Sequence, residues 1–173
     1  MDSKARSRIE ALLDAQSFVE IGALVKSRST DFLQGAEKAA SDGVICGYGS
    51  ISGKPVYIYA QNRDVLSGSV GEMHGRKIAH LYDMAMKMGA PVVELLDSSG
   101  IRLEEATDAL YALSKLYKKK AQAKGLIPLY SVLYGRAGGG MALLASLSDF
   151  CFMENQEGRL FINAPDAVKG NKD

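Results

Sequence analysis

The strongest constraint on this chain is a form that occurs three times: an apolar run, a turn of small residues, then a helical pattern. The clearest copy is "VVELLDSSGIRLEEATDAL", residues 92–110. Val92 to Leu96 reads as a buried strand. It stops at Asp97-Ser98-Ser99-Gly100, and Leu103, Ala106, Leu110 and Leu113 then follow helical spacing. That helix is expected over about 102–123, with Gly125 as its C-cap.

An earlier copy begins with a hairpin. Val44 to Ser50 and Val56 to Ala60 are β-rich and flank Ser52-Gly53-Lys54-Pro55. After Ser67-Gly68-Ser69, one helical face is marked by Val70, Met73, Lys77, Ile78, Leu81, Ala85 and Met88, and Gly89-Ala90-Pro91 ends it. Lys77 lies on this stripe and is expected to snorkel out of it. The third copy runs from a strand at Leu126–Tyr134 through "GRAGGG" to a short helix at Met141–Ser146. Strands at Phe150–Met153 and Leu160–Ile162 follow. Alternation of this kind predicts α/β organisation from ββα units in one domain, residues 1–173. No strict sequence repeat underlies it.

The outer parts carry less information. Residues 4–16 predict a short helix, and Phe18 to Val25 a strand or extended segment. Arg28 to Ser41 predicts a loop. The final "KGNKD" is polar and reads as frayed or cut.

Bulk properties exclude several functions. The net charge of +1 gives no electrostatic case for nucleic acid or an anionic membrane. No apolar run approaches the roughly 20 residues that span a bilayer. Cys46 and Cys151 stand alone in apolar stretches, which predicts two buried thiols in a reducing cytoplasm. No CxxC pair suggests a zinc or redox motif. His74 and His80 lie six apart, which is not the i, i+4 metal spacing, so structural or surface roles are expected and no metal.

The turns carry the chemistry. The first amides of a helix have no internal partner, and the dipole there is positive. A turn of small residues lets an acceptor come close, so the site suits a phosphate or an oxyanion. None of the three turns, Ser67-Gly68-Ser69, Ser99-Gly100-Ile101 and Gly138-Gly139-Gly140, has the GxxxxGK[ST] spacing of a phosphate loop. No GxGxxG opens a helix, and no G-x-S-x-G elbow is present. What remains is an amide pair for an enolate oxyanion, a chemistry whose base can belong to a cofactor.

The stretches "RSRIEALLDAQSFVEI", "RSTDF", "DGVICGYGSISGKPVYIYAQ", "GSVGEMHGRKI", "DSSGIRLEEA", "AGGG" with "LSDFCFM", and "FINAPDAV" run in order from about residue 4 to 168. In them the chain resembles the N-terminal half of the carboxyltransferase (beta) subunit of biotin-dependent acyl-CoA carboxylases, the propionyl-CoA and acetyl-CoA enzymes included. The resemblance implies a crotonase-like superhelix. It also implies carboxyl transfer between carboxybiotin and the α-carbon of an acyl-CoA, with biotin held on a separate carrier and its ring nitrogen as base. The amides of Gly139 and Gly140 would hold the thioester enolate, together with the turn at Gly100 and Ile101. Ser67, Gly68 and Gly71 match another turn near the CoA or biotin channel. Ser99, Arg102 and Gly138 complete the implied substrate contacts.

The departures are specific. The family pattern is DSGGAR, whereas Ser99 and Ile101 stand here, and the branched Ile101 narrows an acyl pocket. Ser67 replaces a glycine, and Arg136-Ala137 stands where Pro and Cys often precede AGGG. "LLDSSGIRLEEA" and "GEMHG" also lean toward the malonate decarboxylase beta subunit, while a non-catalytic acyl-CoA-binding or assembly module is the other alternative. The implied partners are a biotin carboxyl carrier protein, a biotin carboxylase subunit and a C-terminal carboxyltransferase half. That half supplies the second oxyanion site, so this chain is expected to be inactive alone and to self-associate.

Among residues outside the turns, Asp97 is expected to cap or turn. Glu104 and Glu105 are expected in a solvated first helical turn, with Glu105 as the ion-pair candidate for Arg102. Lys118-Lys119-Lys120 is expected to be solvated near a helix end, with attraction of CoA phosphates as the sharper reading.

Overall fold

The computed structural model describes residues 3–30 and 41–163. Residues 31–40, the middle of the segment read as a loop, lie outside the described residues, as does "KGNKD".

Helix α1 (Lys4–Leu12) starts at Ser3, whose hydroxyl accepts from the Arg6 amide. It is shorter than the sequence suggests, because Leu13 is already extended. Strand β1 (Val19–Ile21) pairs with β2 (Val44–Ile51), which turns back into β3 (Lys54–Gln61). These pairings are antiparallel. From β3 the sheet becomes parallel, through β4 (Val92–Ser98) and β5 (Leu129–Gly138) to β6 (Phe150–Met153). Strand β7 (Arg159–Phe161) also pairs parallel with β5, beside its last residues. Parallel neighbours need crossovers. Helices α2 (Glu72–Met88) and α3 (Ala106–Ala123) provide the first two, and α4 (Gly140–Ser146) begins the third. The three copies legible in the sequence are therefore β3–α2, β4–α3 and β5–α4.

One face of the sheet packs on α2, α3 and α4 through Ile78, Leu81, Leu96, Leu116, Leu133 and Leu144. The other packs on α1 through Ile9, Leu13, Ile58 and Leu95. Helices α2 and α3 pass very close at Gly75, where a Cβ would stand 2.8 Å from that of Ala112. Among the described residues no helix is long and apolar enough to cross a membrane.

Three expectations are overturned. Lys77 does not snorkel to water. Its Nζ donates to Asp42 Oδ1 at 3.1 Å and to the Val44 carbonyl at 2.7 Å. Lys120 is not solvated. Its position continues the buried stripe Ala109, Ala112, Leu113, Leu116 and Ala123, and its Nζ meets Glu94 at 2.5 Å, with both side chains wholly buried. Tyr82 and Ser131 also donate to that carboxylate, and burial beside it raises the Tyr82 phenol well above its ordinary range. Cys151 is exposed rather than buried, because all four residues of the edge strand β6 are exposed. Cys46 is buried as expected, and burial pushes its thiol well up.

Candidate active site

All three small-residue turns leave the same edge of the sheet, at the carboxyl ends of β3, β4 and β5. In open parallel sheets this is where ligands bind. The first turn is left-handed over three successive residues, with φ of 48° at Leu66, 54° at Ser67 and 65° at Gly68. Ser67 carries a side chain in a conformation that favours glycine. Ser69 helps to hold this turn, donating from its hydroxyl to the Leu66 carbonyl at 2.7 Å. A Cβ on Gly68 would stand 2.3 Å from the Asp97 carbonyl, so this turn lies directly on the end of β4.

The second turn bonds to the first. Ser99 N–H donates to the Ser67 carbonyl, Val70 N–H to the Gly100 carbonyl, and Arg102 N–H to the Val70 carbonyl. The Gly100 amide donates to Ser98 Oγ at 3.1 Å. The Ile101 amide has no partner among the described residues. Ser67, Ser69, Ser99, Ile101, Leu103 and Glu104 line a groove of about 400 Å³ between the two turns.

The third turn sits behind the second. Gly139 has φ 57° and ψ −124°, open in practice to glycine alone. Its amide donates to the Phe161 carbonyl at 3.0 Å. It is therefore already engaged, contrary to the expectation that both Gly139 and Gly140 offer amides. The Gly140 amide has no partner among the described residues. Gly138 is packed under the Phe161 ring, where its Cβ would meet a ring carbon at 2.5 Å, so it serves as a seat for β7.

The remaining site expectations separate in the same way. Arg102 is 1% exposed and turned inward. Its guanidinium donates to Ser69 Oγ, the Ser69 carbonyl, the Asp42 carbonyl and Glu105. It braces the first turn, and it also lines the groove between the first two turns. The ion pair with Glu105, 2.8 Å long, is the one the sequence suggests. Glu105 itself is buried, against expectation, and its other oxygen accepts from the Glu72 amide at the start of α2. Gly71 is flat against this pair, where a Cβ would meet Glu105 at 2.3 Å. Asp97 neither caps nor turns. It lies in β4 and pairs with Arg8 at 3.1 Å and Arg63 at 3.7 Å.

Two residues of the support are not singled out in the sequence. Gln61 accepts from the Asp97 amide and touches His74, whose other ring nitrogen meets the Asp42 carbonyl at 3.2 Å. Burial lowers the His74 pKa to about 3, with Arg102 and Lys77 adding to the effect. Their signal is faint: Gln61 and Asp42 are polar residues at the ends of apolar runs. From "RSTDF", Arg28 pairs with Glu72 and Asp108, and Thr30 donates to the Glu104 carbonyl, which places residues 28–30 against the starts of α2 and α3. Among the described residues no group of three or more His, Cys, Asp or Glu side chains is placed to hold a metal ion.

The fold is a parallel α/β layer with glycine-rich turns gathered at one edge, and similarity to known proteins places the chain in a known family. The chain belongs to the carboxyl transferase domain family, whose pattern matches residues 3–171. It is 41% identical over 165 residues to the beta5 subunit of a biotin-dependent acetyl-/propionyl-coenzyme A carboxylase from Mycobacterium tuberculosis, covering 95% of this chain and 30% of that protein. Its structure matches transcarboxylase 12S, a hexamer crystallised with hydrolysed methylmalonyl-coenzyme A, with a TM-score of 0.90 and 34% identity over 97% of this chain and 32% of that one. It also matches a chain of a Pseudomonas malonate decarboxylase hetero-tetramer, with a TM-score of 0.83 and 29% identity over 97% of this chain and 64% of that one. The chain spans about a third of the length of its acyl-CoA carboxylase relatives. Its fold is the crotonase-like one of the carboxyltransferases.

Proposed function

We propose that this chain carries the acyl-thioester side of a biotin-dependent carboxyl-transfer site, acting on acetyl-CoA or propionyl-CoA. The reading rests on one observation: the second and third turns abut at the edge of the sheet, and each has one open amide, at Ile101 and at Gly140. In such a transfer the α-carbon of the thioester exchanges a proton for a carboxyl group, and negative charge collects on the thioester oxygen. Fixed N–H groups aimed at that oxygen lower the barrier because they need no reorganisation, an effect of about 3–4 kcal/mol per donor. Ile101 and Gly140 are the donors in this account. Gly100 and Gly139 hold the two turns in shape, with their own amides engaged at Ser98 and Phe161.

Biotin, delivered on a carrier protein, would supply the carboxyl group and the base. Ser67 and Ser99, which line the groove with Ile101, suit a polar ring at this point. The second oxyanion site and the carrier belong to partners of the chain in this reading.

Mixing the chain with a C-terminal carboxyltransferase half and a carboxybiotin-bearing carrier tests the proposal. Transfer to propionyl-CoA or acetyl-CoA is expected, and no transfer to any acyl-CoA would refute it. The likeness to a malonate decarboxylase chain supports a second reading, a malonyl group on an acyl carrier protein. Decarboxylation of that substrate by the same mixture, with no acyl-CoA product, would favour it.

A further inference from the structure

A second groove, of about 640 Å³, runs along the outer surface between α2 and α3 and shares no lining residue with the groove between the turns. Its walls carry Arg76, His80, Lys115, Lys118 and Lys119 against the single carboxylate of Asp83. Arg76 pairs with Glu72, and Lys119 pairs with Asp83. Lys115 and Lys118 are exposed and have no carboxylate partner among the described residues. The whole chain carries a net charge of only +1, so positive charge is concentrated here. Tyr111 is 59% exposed at this groove, and Lys115 Nζ lies 4.4 Å from its ring centroid. Ala79 adds apolar surface between the helices.

Three features select the chemistry of the occupant. The walls are the sides of two helices, and no lining residue belongs to the first turn of either. Their amides are spent on intrahelical bonds, so the groove lacks the free N–H groups that hold a phosphate. Its unpaired cations are lysines, which meet carboxylates singly as point charges, while its one guanidinium, the group that grips phosphate bidentately, is engaged by Glu72. The groups also stand in a line. Tyr111, Lys115, Lys118 and Gln122 share one face of α3 at helical spacing, over about 16 Å along its axis, room for about five extended residues. An exposed tyrosine beside unpaired charges of one sign suits a protein partner: the ring anchors, and the surrounding charges steer the approach and set register.

We infer that the α2–α3 groove docks an acidic segment of a partner protein, with Lys115 and Lys118 on its carboxylates and Tyr111 against the apolar part of its side chains. Charge complementarity fixes the sign of that segment, and the spacing along α3 fixes its length.

The test is fluorescence anisotropy of a labelled decaglutamate peptide titrated with the 173-residue chain at low salt, where surface charges are least screened. Saturable binding is expected, weakened at least tenfold in Lys115→Ala/Lys118→Ala. These side chains are exposed, so the variant should melt cooperatively like the parent. The pair Lys4→Ala/Lys54→Ala removes the same charge from exposed positions outside the groove and should bind within twofold of the parent. Tyr111→Ser should weaken a peptide of alternating Glu and Leu more than it weakens decaglutamate. No binding, or equal affinity in the parent and both lysine variants, would overturn the inference. So would tighter, lysine-dependent binding of an oligothymidylate of the same length, which would assign the groove to a nucleic acid instead.

Discussion

A Cβ on Gly100 would stand 3.9 Å from the carbonyl oxygen of Gly138, so the turns after β4 and β5 share one wall. Space is not what excludes a side chain at Gly100, because 3.9 Å is ordinary contact. Its φ of 108° is the obstacle. Gly100→Ala should therefore cost about 1–3 kcal/mol through backbone strain, read as a lower urea midpoint at unchanged slope. A parent-like midpoint would mean that the turn relaxes freely.

Ile101 tests the acyl pocket. Its side chain is branched and lines the active-site groove. Ile101→Ala should admit longer acyl chains, seen as a shift in the ranking of acetyl-, propionyl- and butyryl-CoA affinities toward the larger. An unchanged ranking would place the acyl group elsewhere.

Lys120 and Glu94 form a wholly buried pair. Removing one partner strands the other charge, so Lys120→Met should destabilise the fold by about 3–5 kcal/mol. Lys120→Met/Glu94→Gln should recover part of that loss in the same denaturation series. A double-variant loss equal to the sum of the losses in Lys120→Met and Glu94→Gln would show that the charges are not coupled.

His74 makes stability depend on pH. Its folded pKa of about 3 lies below its ordinary 6.5, so the unfolded state binds more protons between those values. Stability should be full above about pH 6.5 and fall as pH drops toward 3, by up to about 1.4 kcal/mol per unit. Asp42, whose carboxyl is raised by burial, works in the opposite direction near the acid end. Denaturation at pH 7.5 and 5.5 measures the slope, which His74→Gln should flatten. An equal slope in both proteins would contradict the assignment.

Ala106, at the start of α3, has φ 45° and ψ −120°, a conformation suited to glycine. It is exposed, so Ala106→Gly should raise stability by about 1 kcal/mol, despite the entropy glycine adds to the unfolded chain. A lower melting temperature would show that the backbone at this position is unstrained.

The sequence reveals the repeating layers because each apolar run has one period and each ends in a small-residue turn. Strand β4 stops after Ser98, and the turn Ser99-Gly100-Ile101 takes the chain toward α3 along the edge where the turns meet. Which turn amides stay open is not legible, since that depends on partners distant in sequence. Phe161 takes the Gly139 amide from 22 residues away. Lys77 and Lys120 are buried against expectation for a related reason. Each is one charge in an apolar stripe, and its partner, Asp42 or Glu94, lies on another element. The paired signal is a lone charge in each of two apolar runs, as in "VVELL" and the α3 stripe.

The central claim is that the Ile101 amide meets a thioester. It is tested most directly by titrating propionyl-CoA into the parent chain, Ile101→Ala and Ile101→Pro, each shown folded by a cooperative melt. Alanine keeps the amide, whereas proline removes an N–H that no described residue uses. The account predicts saturable binding by the parent and Ile101→Ala, and at least tenfold weaker binding by Ile101→Pro. Equal affinity in all three folded proteins would contradict it.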